Sequence, residues 1–180
     1  MRILITGASG FTGRHVVQAC LDAGHEVVAA RLGDVPAEAV GGVVWRRADL
    51  CDTAATEALV RELLPEGVIH LAGRVGIQPG DNLGTHYRCN VFGTSSLLAA
   101  LAQHTPACRV LVVGSAAQYG LLERHGLPVS EFTACRPHTH YGLSKHVQEE
   151  VAFLYHQKYG LPVVATRTFN MTGPGDSERS

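Results

Sequence analysis

The 180-residue sequence predicts an α/β fold, a doubly wound parallel sheet that forms one domain over residues 1–180. Two observations predict it. Short apolar runs alternate with helical stretches along the chain, and this alternation is typical of a parallel sheet with crossover helices. The first apolar run also leads directly into the glycine-rich segment 7–13, which opens a helix. Strand, glycine turn, helix and second strand within about thirty residues are the setting of a dinucleotide-binding turn.

Six strands and four helices follow from the spacing of apolar residues and from the turn residues that flank them. The predicted strands are 2–6, 26–31, 41–49, 67–73, 109–113 and 161–168, and the predicted helices are 14–23, 53–64, 87–103 and 141–159. Gly24 is expected to end the first helix, because glycine readily adopts the left-handed conformation found there. Thr53 is expected to cap the second helix with its hydroxyl.

Polar or small residues stand at the end of every predicted strand. They are Gly7, Arg31, Asp49, Ala72, Ser115 and Asn170. Ligands of doubly wound sheets bind outside the carboxyl ends of the strands. We therefore expect these residues to converge on one edge of the sheet and the loop over 74–80 to pass above a cofactor there. A second polar loop, which follows residue 120, is long enough to suggest a functional role.

The glycines Gly7, Gly10 and Gly13 predict a turn that lets the main chain approach a pyrophosphate. The helix that follows such a turn offers free N–H groups and a partial positive charge. The second strand ends in Arg31 and has no acidic residue at its tip, so a ribose 2′-phosphate would meet a cation there. This favours NADP as the cofactor, with NAD as the alternative, although a merely solvated Arg31 would not discriminate. Asp49 could accept a hydrogen bond from the adenine amino group.

Tyr141 and Lys145 are four residues apart, which places them on one face of a helix, one turn from each other. A phenol has an ordinary pKa of about 10, and a neighbouring cation favours its ionised form. A tyrosine in this setting can exchange a proton with a sugar hydroxyl or a ketone near neutral pH. The alternative is that the pair belongs to an ordinary amphipathic surface.

Composition excludes several classes of partner. The net charge is −1 and the sequence has no basic run, which argues against a nucleic-acid surface. No apolar stretch is long enough to span a membrane. The five cysteines form no C-x-x-C pair, and we interpret them as reduced thiols of a cytoplasmic protein. The close pair His138 and His140 lacks the spacing of further ligands that a metal site requires.

Seven motifs, taken together and in order, carry a resemblance. They are GASGFTG at 7–13, DL at 49–50, HLAG at 70–73, NVFGT at 90–94, GSAAQYG at 114–120, YGLSK at 141–145 and NMTGPG at 170–175. The chain resembles the extended short-chain dehydrogenase/reductase family, the NAD(P)-dependent epimerase/dehydratase group that acts on nucleotide sugars. Among its members, the chain looks most like reductases of GDP-linked 4-keto-6-deoxy sugars. The resemblance implies a Rossmann fold.

The resemblance also implies roles for particular residues. Tyr141 is similar to the catalytic acid/base, Lys145 to its pKa partner and ribose ligand, and Ser115 to the hydroxyl that holds the reacting substrate oxygen. Together with Arg31, the expected cofactor-binding residues are Gly7, Ser9, Gly10, Phe11, Thr12, Gly13, Asp49, Leu50, Leu71, Ala72, Gly73, Asn90, Val113, Tyr141 and Lys145. The expected substrate contacts are Ser115, Ala116 and Asn170.

Departures from the family pattern reduce the number of reactions that we expect this chain to catalyse. Family dehydratases place an acid just after the Ser115 position, where this chain has Ala116 and Ala117. The expectation is therefore a 4-ketoreductase of a nucleotide 4-keto-6-deoxyhexose, with a nucleotide-sugar 4-epimerase as the alternative. Family members continue into a smaller substrate subdomain that is largely absent from this chain, so a non-catalytic dinucleotide-binding module is the second alternative. The resemblance also implies a homodimer, formed through the helices 87–103 and 141–159.

Overall fold

The computed structural model describes residues 1–34, 41–76, 83–121 and 128–175. Six strands form one sheet: β1 Arg2–Thr6, β2 Glu26–Arg31, β3 Val43–Arg47, β4 Gly67–His70, β5 Arg109–Val113 and β6 Val163–Thr166. Their order is β3-β2-β1-β4-β5-β6, and all neighbouring strands are parallel. The chain reverses its direction of winding between β1 and β4, the place where such sheets bind ligands. The doubly wound fold is confirmed.

The helices are α1 Phe11–Asp22, α2 Thr53–Leu63, α3 Leu83–His86, α4 Gly93–His104 and α5 His140–Tyr159. A π-helical segment, Tyr87–Phe92, joins α3 to α4, and a 3₁₀ turn, Ala116–Gln118, follows β5. The predicted helix 87–103 therefore begins four residues earlier than expected and contains a π segment that its apolar pattern did not indicate.

Helix ends and strand ends differ from the predictions in detail. The first helix starts at Phe11 rather than at residue 14, because Gly10 in extended conformation already precedes its first turn. Thr53 is not the cap of α2, because the side chain of Asp52 accepts from the N–H of Ala55 at 3.0 Å. Gly24 follows α1 with a φ of +75°, as expected of a glycine that ends a helix. Strands β3, β4 and β6 are shorter than the predicted runs, whose flanking residues lie in loops.

The two faces of the sheet carry separate apolar clusters. Leu4, Val28, Val68, Val110 and Val112 pack on one face against residues of α2, α4 and α5. On the other face, Ile3, Ile5, Val27 and Ala29 pack against Val17 and Cys20 of α1. Burying each large side chain contributes about 1.5–3 kcal/mol to stability, so these two layers fix the helices on the sheet.

On the α1 face, the helices of the described ranges cover β1 and β2 but leave β5 and β6 uncovered. There, Val164 of β6 is 62% exposed, beside Ile69 and Leu111 in an apolar groove. None of the helices in the described ranges is long and apolar enough to cross a membrane. Residues 77–80 of the predicted cofactor loop and 122–127 of the predicted polar loop lie outside the described residues, so the expectations for those loops stay predictions.

Candidate active site

The glycine turn packs tightly against its surroundings. Gly7 has a φ of +72°, and a Cβ there would lie 2.6 Å from the main-chain nitrogen of Ala72, beyond the end of β4. At Gly13, a Cβ would meet the carbonyl oxygen of Gly7 and would lie 2.7 Å from the carbonyl carbon of Ala8. Only glycine avoids both contacts.

The start of α1 is open to an anion. Gly10 donates its N–H to the carbonyl of Gly7 at 3.0 Å, which closes the turn. Ser9 and Gly10 are exposed, and the first turn of α1 contains no acidic residue. The free N–H groups of a helix start attract phosphate. The turn thus fits the pyrophosphate of a dinucleotide, because an anion can approach the exposed main chain at Ser9 and Gly10 and the N–H groups at the start of α1.

A buried hydrogen-bond chain joins β1 to the end of β4, and Thr94 fixes its direction. Thr94 donates its single hydroxyl proton to the carbonyl of Asn90 at 2.6 Å, so toward its other neighbours it acts as an acceptor. Nε2 of His70 lies 2.8 Å from this hydroxyl oxygen and therefore carries the imidazole proton. Nδ1 accepts from the hydroxyl of Thr6 at 2.6 Å, and Thr6 accepts from the N–H of Ala72 at 3.3 Å.

His70 is neutral in this setting. Its side chain is fully buried, and removal from water, together with the nearby ammonium of Lys145, lowers its pKa to about 3. A charged imidazole would direct a second N–H at the hydroxyl of Thr6, which would then have to turn its own proton away from the ring. The neutral ring therefore holds the strand ends behind the glycine turn.

Lys145 lies between the ends of β4 and β5. Its ammonium donates to the carbonyl of Val113, with Nζ and O 2.6 Å apart, and the side chain is only 5% exposed. A Cβ on Gly73 would lie 3.7 Å from Nζ, so the lysine also closes against the chain that follows β4. Burial lowers the pKa of Lys145 to about 8, which leaves the amine mainly protonated at pH 7.

Tyr141 stands one turn before Lys145 on α5 and is half-buried. Its ring centroid lies 6.1 Å from that of His86, the last residue of α3. Gly142 packs closely on the 3₁₀ turn, since a Cβ there would lie 2.5 Å from the carbonyl oxygen of Ala117. This contact presses the start of α5, and with it Tyr141, onto the segment that follows β5.

Ser115 begins that segment. Its Oγ accepts from the N–H of Ala117 at 3.2 Å, which leaves the hydroxyl proton for a further acceptor. Ser115 lies two residues beyond Val113, whose carbonyl binds Lys145. The structure therefore brings Ser115, Tyr141 and Lys145 to one end of β5, next to the chain at Gly73.

Asn90 is fully buried in the π-helical segment, and its amide binds protein atoms. Its Oδ1 accepts from the N–H of Arg74 at 2.6 Å, and its Nδ2 donates to the carbonyl of Arg74 at 3.0 Å. Nδ2 also lies 2.9 Å from the hydroxyl of Ser144 on α5. Asn90 thus holds the main chain after β4 beside the candidate site; a direct contact with the cofactor stays a prediction.

The other expected residues lie along the same edge of the sheet. Asp49 binds the N–H of Cys51 through Oδ1 at 2.9 Å. Arg31 is half-buried, and its Nε has no hydrogen-bond partner among the described residues. The remaining cofactor and substrate candidates at strand or helix ends are Phe11, Thr12, Leu50, Leu71, Ala116 and the exposed Asn170.

Three residues of the site region escaped the sequence analysis. Gln118, Glu149 and Arg167 form a buried chain of hydrogen bonds that ends at the main chain of Ser115. Glu149 follows Lys145 by four residues, as Lys145 follows Tyr141, and this spacing was the signal that could have identified it. Gln118 completes the Ser-x-x-Gln pattern of a capping box with Ser115, which was a second such signal, whereas Arg167 carries no comparable pattern.

Comparison with known proteins identifies relatives along the whole chain. A model of the NAD dependent epimerase/dehydratase family matches residues 3–180. The chain is 32% identical over 182 residues to a GDP-6-deoxy-D-mannose reductase of Pseudomonas aeruginosa, covering 98% of this chain and 54% of the reductase. It is 32% identical over 189 residues to a dTDP-glucose 4,6-dehydratase of Streptomyces antibioticus, covering 97% of this chain and 54% of the dehydratase.

A solved structure shares the fold. The UDP-glucose 4-epimerase of Thermus thermophilus in complex with NAD has a TM-score of 0.83 and 31% identity, covering 93% of this chain and 54% of the epimerase. The chain spans about half the length of the curated relatives it matches.

The buried neutral histidine predicts a pH dependence of stability. Because the pKa of His70 falls from 6.5 to about 3 on folding, the unfolded chain binds a proton first as the pH drops. We expect the free energy of unfolding to decrease below about pH 6.5, by at most about 1.4 kcal/mol per pH unit from this residue. His70→Gln should flatten this slope between pH 6.5 and 5 in urea titrations, although it lowers stability at pH 7.

The exposed His138 provides the matched control. His138→Gln should leave the slope as it is in the unmodified protein. A His70→Gln variant with the original slope would show that another group causes the loss.

Proposed function

The chain belongs to the NAD dependent epimerase/dehydratase family, and we propose that it serves as an NAD(P)-dependent oxidoreductase acting at C4 of a nucleotide sugar. The observation that carries the proposal is the cluster of Ser115, Tyr141 and Lys145 at the end of β5. The ammonium of Lys145 there lies 2.6 Å from the carbonyl oxygen of Val113. The same edge of the sheet holds the glycine turn that fits a pyrophosphate.

The three side chains have complementary roles in this proposal. The nicotinamide, when bound, supplies a hydride to the carbonyl carbon or takes one from the alcohol carbon. Tyr141 gives the proton that turns the ketone oxygen into a hydroxyl, or takes it in the reverse direction. The free hydroxyl proton of Ser115 orients the same oxygen. Lys145 stabilises the phenolate that remains on Tyr141, because a cation one turn away favours that charge.

Among the reactions of the family, we favour reduction of a nucleotide 4-keto-6-deoxyhexose. Elimination of water needs an acid beside the sugar, and Ala116 and Ala117 follow Ser115 in this chain. The similarity to the Pseudomonas aeruginosa reductase supports this choice. A nucleotide-sugar 4-epimerase is the second candidate, favoured by the likeness to the Thermus thermophilus enzyme. A dinucleotide-binding module without catalysis is the third, because the glycine turn that fits a pyrophosphate does not by itself require turnover.

We propose NADP as the preferred cofactor. Arg31 stands at the tip of β2, where its buried Nε lacks a hydrogen-bond partner among the described residues. In the register of the sheet, Arg47 of β3 pairs with Arg31, so a second guanidinium lies at the same edge. The carboxylate of Asp34 lies 3.9 Å from the guanidinium of Arg47, so Arg31 is the principal cation that favours the extra phosphate of NADP. The Thermus thermophilus relative was solved with NAD, which stays the alternative.

We also propose a homodimer formed through the predicted helices 87–103 and 141–159, which correspond to the π-helical segment with α4 and to α5. Phe92, Phe153 and Leu154 expose 49%, 38% and 54% of their surface. Exposed aromatic and aliphatic groups of this size on packed helices are typical of an interface.

We also propose that the protein is cytoplasmic. All five cysteines, which are Cys20, Cys51, Cys89, Cys108 and Cys135, are free thiols. Thiols persist where the cell keeps them reduced, and disulfides are rare there.

Tyr141→Phe tests the proposed chemistry. Removing the phenolic proton should lower kcat by about 10²- to 10⁴-fold, the usual contribution of a general acid or base. The affinity for NADPH should change less than about twofold, because the phenolic hydroxyl is one of many expected cofactor contacts and the aromatic ring is retained. Turnover is measured by NADPH oxidation with 4-keto-6-deoxy sugar nucleotides, and affinity by fluorescence titration.

Tyr159→Phe, at the far end of α5, is the control and should retain full activity. Near-complete activity of Tyr141→Phe would refute the role of Tyr141. Tight NADPH binding without turnover of any nucleotide sugar would support the non-catalytic module.

Arg31→Ala tests the cofactor preference. Loss of a charged hydrogen bond to the 2′-phosphate should weaken NADPH binding by about 10- to 100-fold and leave NADH binding unchanged. Titrations of both cofactors measure this, with the exposed Arg61→Ala on α2 as the control. A clear preference of the unmodified protein for NADH would contradict the assignment.

Phe153→Glu tests the dimer. A charge at the centre of an apolar interface should halve the apparent mass in size-exclusion chromatography with light scattering. Phe132→Glu alters a residue that is 98% exposed and outside the helices, and should leave the mass as it was. A monomeric unmodified protein would end this proposal.

A further inference from the structure

Glu149 continues the series of Tyr141 and Lys145 along α5 at the same four-residue spacing. It is only 4% exposed, and a buried carboxylate requires compensating partners. The proposed chemistry uses Tyr141 and Lys145 but assigns nothing to Glu149. Its partners therefore indicate what the third member of the series does.

The first partner of Glu149 is Gln118, which is fully buried in the 3₁₀ turn. Nε2 of Gln118 donates to Oε2 of Glu149 at 2.7 Å. Oε1 of Gln118 accepts from the main-chain N–H of Ser115 at 2.9 Å. The carboxylate can only accept and the N–H can only donate, so the orientation of the amide between them is fixed. A straight relay thus connects α5 to the main chain of Ser115.

The second partner is Arg167, which follows β6. Its Nη2 lies 2.6 Å from Oε1 of Glu149, and its Nε contacts both carboxylate oxygens at 3.1 and 3.2 Å. Burial opposes ionisation of Glu149, but the hydrogen bonds from Arg167 and Gln118 outweigh it and lower the pKa of the carboxyl. Arg167 also donates to the carbonyl of Glu131 at 2.9 Å, so the loop before α5 is tied to the same group.

The space around Ser115 depends on this arrangement. A Cβ on Gly114 would collide with Oε1 of Gln118 and with the carbonyl oxygen of Thr166. The amide of Gln118 therefore occupies the volume beneath the turn that carries the hydroxyl of Ser115. Without it, the N–H of Ser115 would lose its acceptor, and a partly buried donor without a partner drives the turn to rearrange.

From these contacts we infer that Glu149 is a positioning residue, which acts through Gln118 to hold the Ser115 hydroxyl in place beside Tyr141. The inference rests on the proposed function, because it concerns the oxygen that Ser115 would orient. Glu149 itself touches neither substrate nor cofactor in this view. Its removal should therefore change turnover more than cofactor binding.

A carboxylate swap tests the relay. In Glu149→Gln, the amide of Gln118 meets a second amide in place of the carboxylate. In Gln118→Glu, two carboxylates lie side by side. Each single variant therefore leaves a donor facing a donor or an acceptor facing an acceptor. In the double variant, the carboxylate at 118 accepts from Ser115 and from the new amide at 149, whose oxygen accepts from Arg167. We expect each single variant to lower kcat by about 10- to 100-fold and the double variant to recover most of it.

Three further measurements sharpen the comparison. NADPH affinity should stay within about twofold in all variants, since the hydrogen bonds of the relay involve no residue of the glycine turn. Amide hydrogen exchange at Ser115, followed by NMR, should accelerate about tenfold in the single variants and slow again in the double variant. Glu150→Gln, at the exposed neighbour of Glu149, should match the unmodified protein throughout.

The outcomes separate the inference from the proposed function. A double variant no more active than the worse single variant overturns the relay, as does equal loss of NADPH affinity and kcat. If the unmodified protein turns over no nucleotide sugar, the proposed function fails. Amide hydrogen exchange at Ser115 is then the measurement that tests the relay. Equal exchange in all four proteins would then overturn the inference, and the pattern described above would support the relay.

Discussion

The hydrogen bond from the buried ammonium of Lys145 to the carbonyl of Val113 is the contact on which the candidate site depends. It fixes α5 to the end of β5, and so sets Tyr141 on one side and Ser115 on the other. This hydrogen bond is short and shielded from water. A hydrogen bond from a charged donor is stronger in such a setting than at the protein surface. Burial also lowers the pKa of the lysine to about 8, and the amine stays mainly protonated at pH 7.

Behind this contact lies a layer of polar side chains that is unusually continuous for a protein core. The neutral imidazole of His70 joins Thr6 to Thr94, and Thr94 also accepts from Gln148 of α5 at 2.7 Å. Asn90 then ties the chain after β4 to the same helix. Pairing of most donors and acceptors favours one geometry, because each alternative leaves a further group without a partner. Oε1 of Gln148 is an exception, since it has no hydrogen-bond partner among the described residues. The glycine turn and α5 are thereby held in fixed relation.

The sequence predicted what depends on local pattern. Apolar runs located all six strands, and the glycine spacing at 7–13 located the turn, because both follow from period and from backbone freedom. It failed where neighbours compete or where partners are distant. Asp52 rather than Thr53 caps α2, although adjacent residues of this type cap equally well. The Glu149–Arg167 pair joins residues 18 apart in sequence, and no periodicity indicates such a pair.

The π-helical segment Tyr87–Phe92 has a consequence for how the site tolerates change. A π turn holds one residue more than an α turn, so deleting a residue there would let the backbone relax into regular α geometry. A regular α-helix over the same number of residues would instead rotate everything on its N-terminal side by about 100° around the helix axis. That rotation would turn His86 away from the ring of Tyr141. The wider turn therefore accommodates one extra residue while the helix keeps its angular phase, and a straightening of this segment without a deletion would misalign the pocket although every functional group remained.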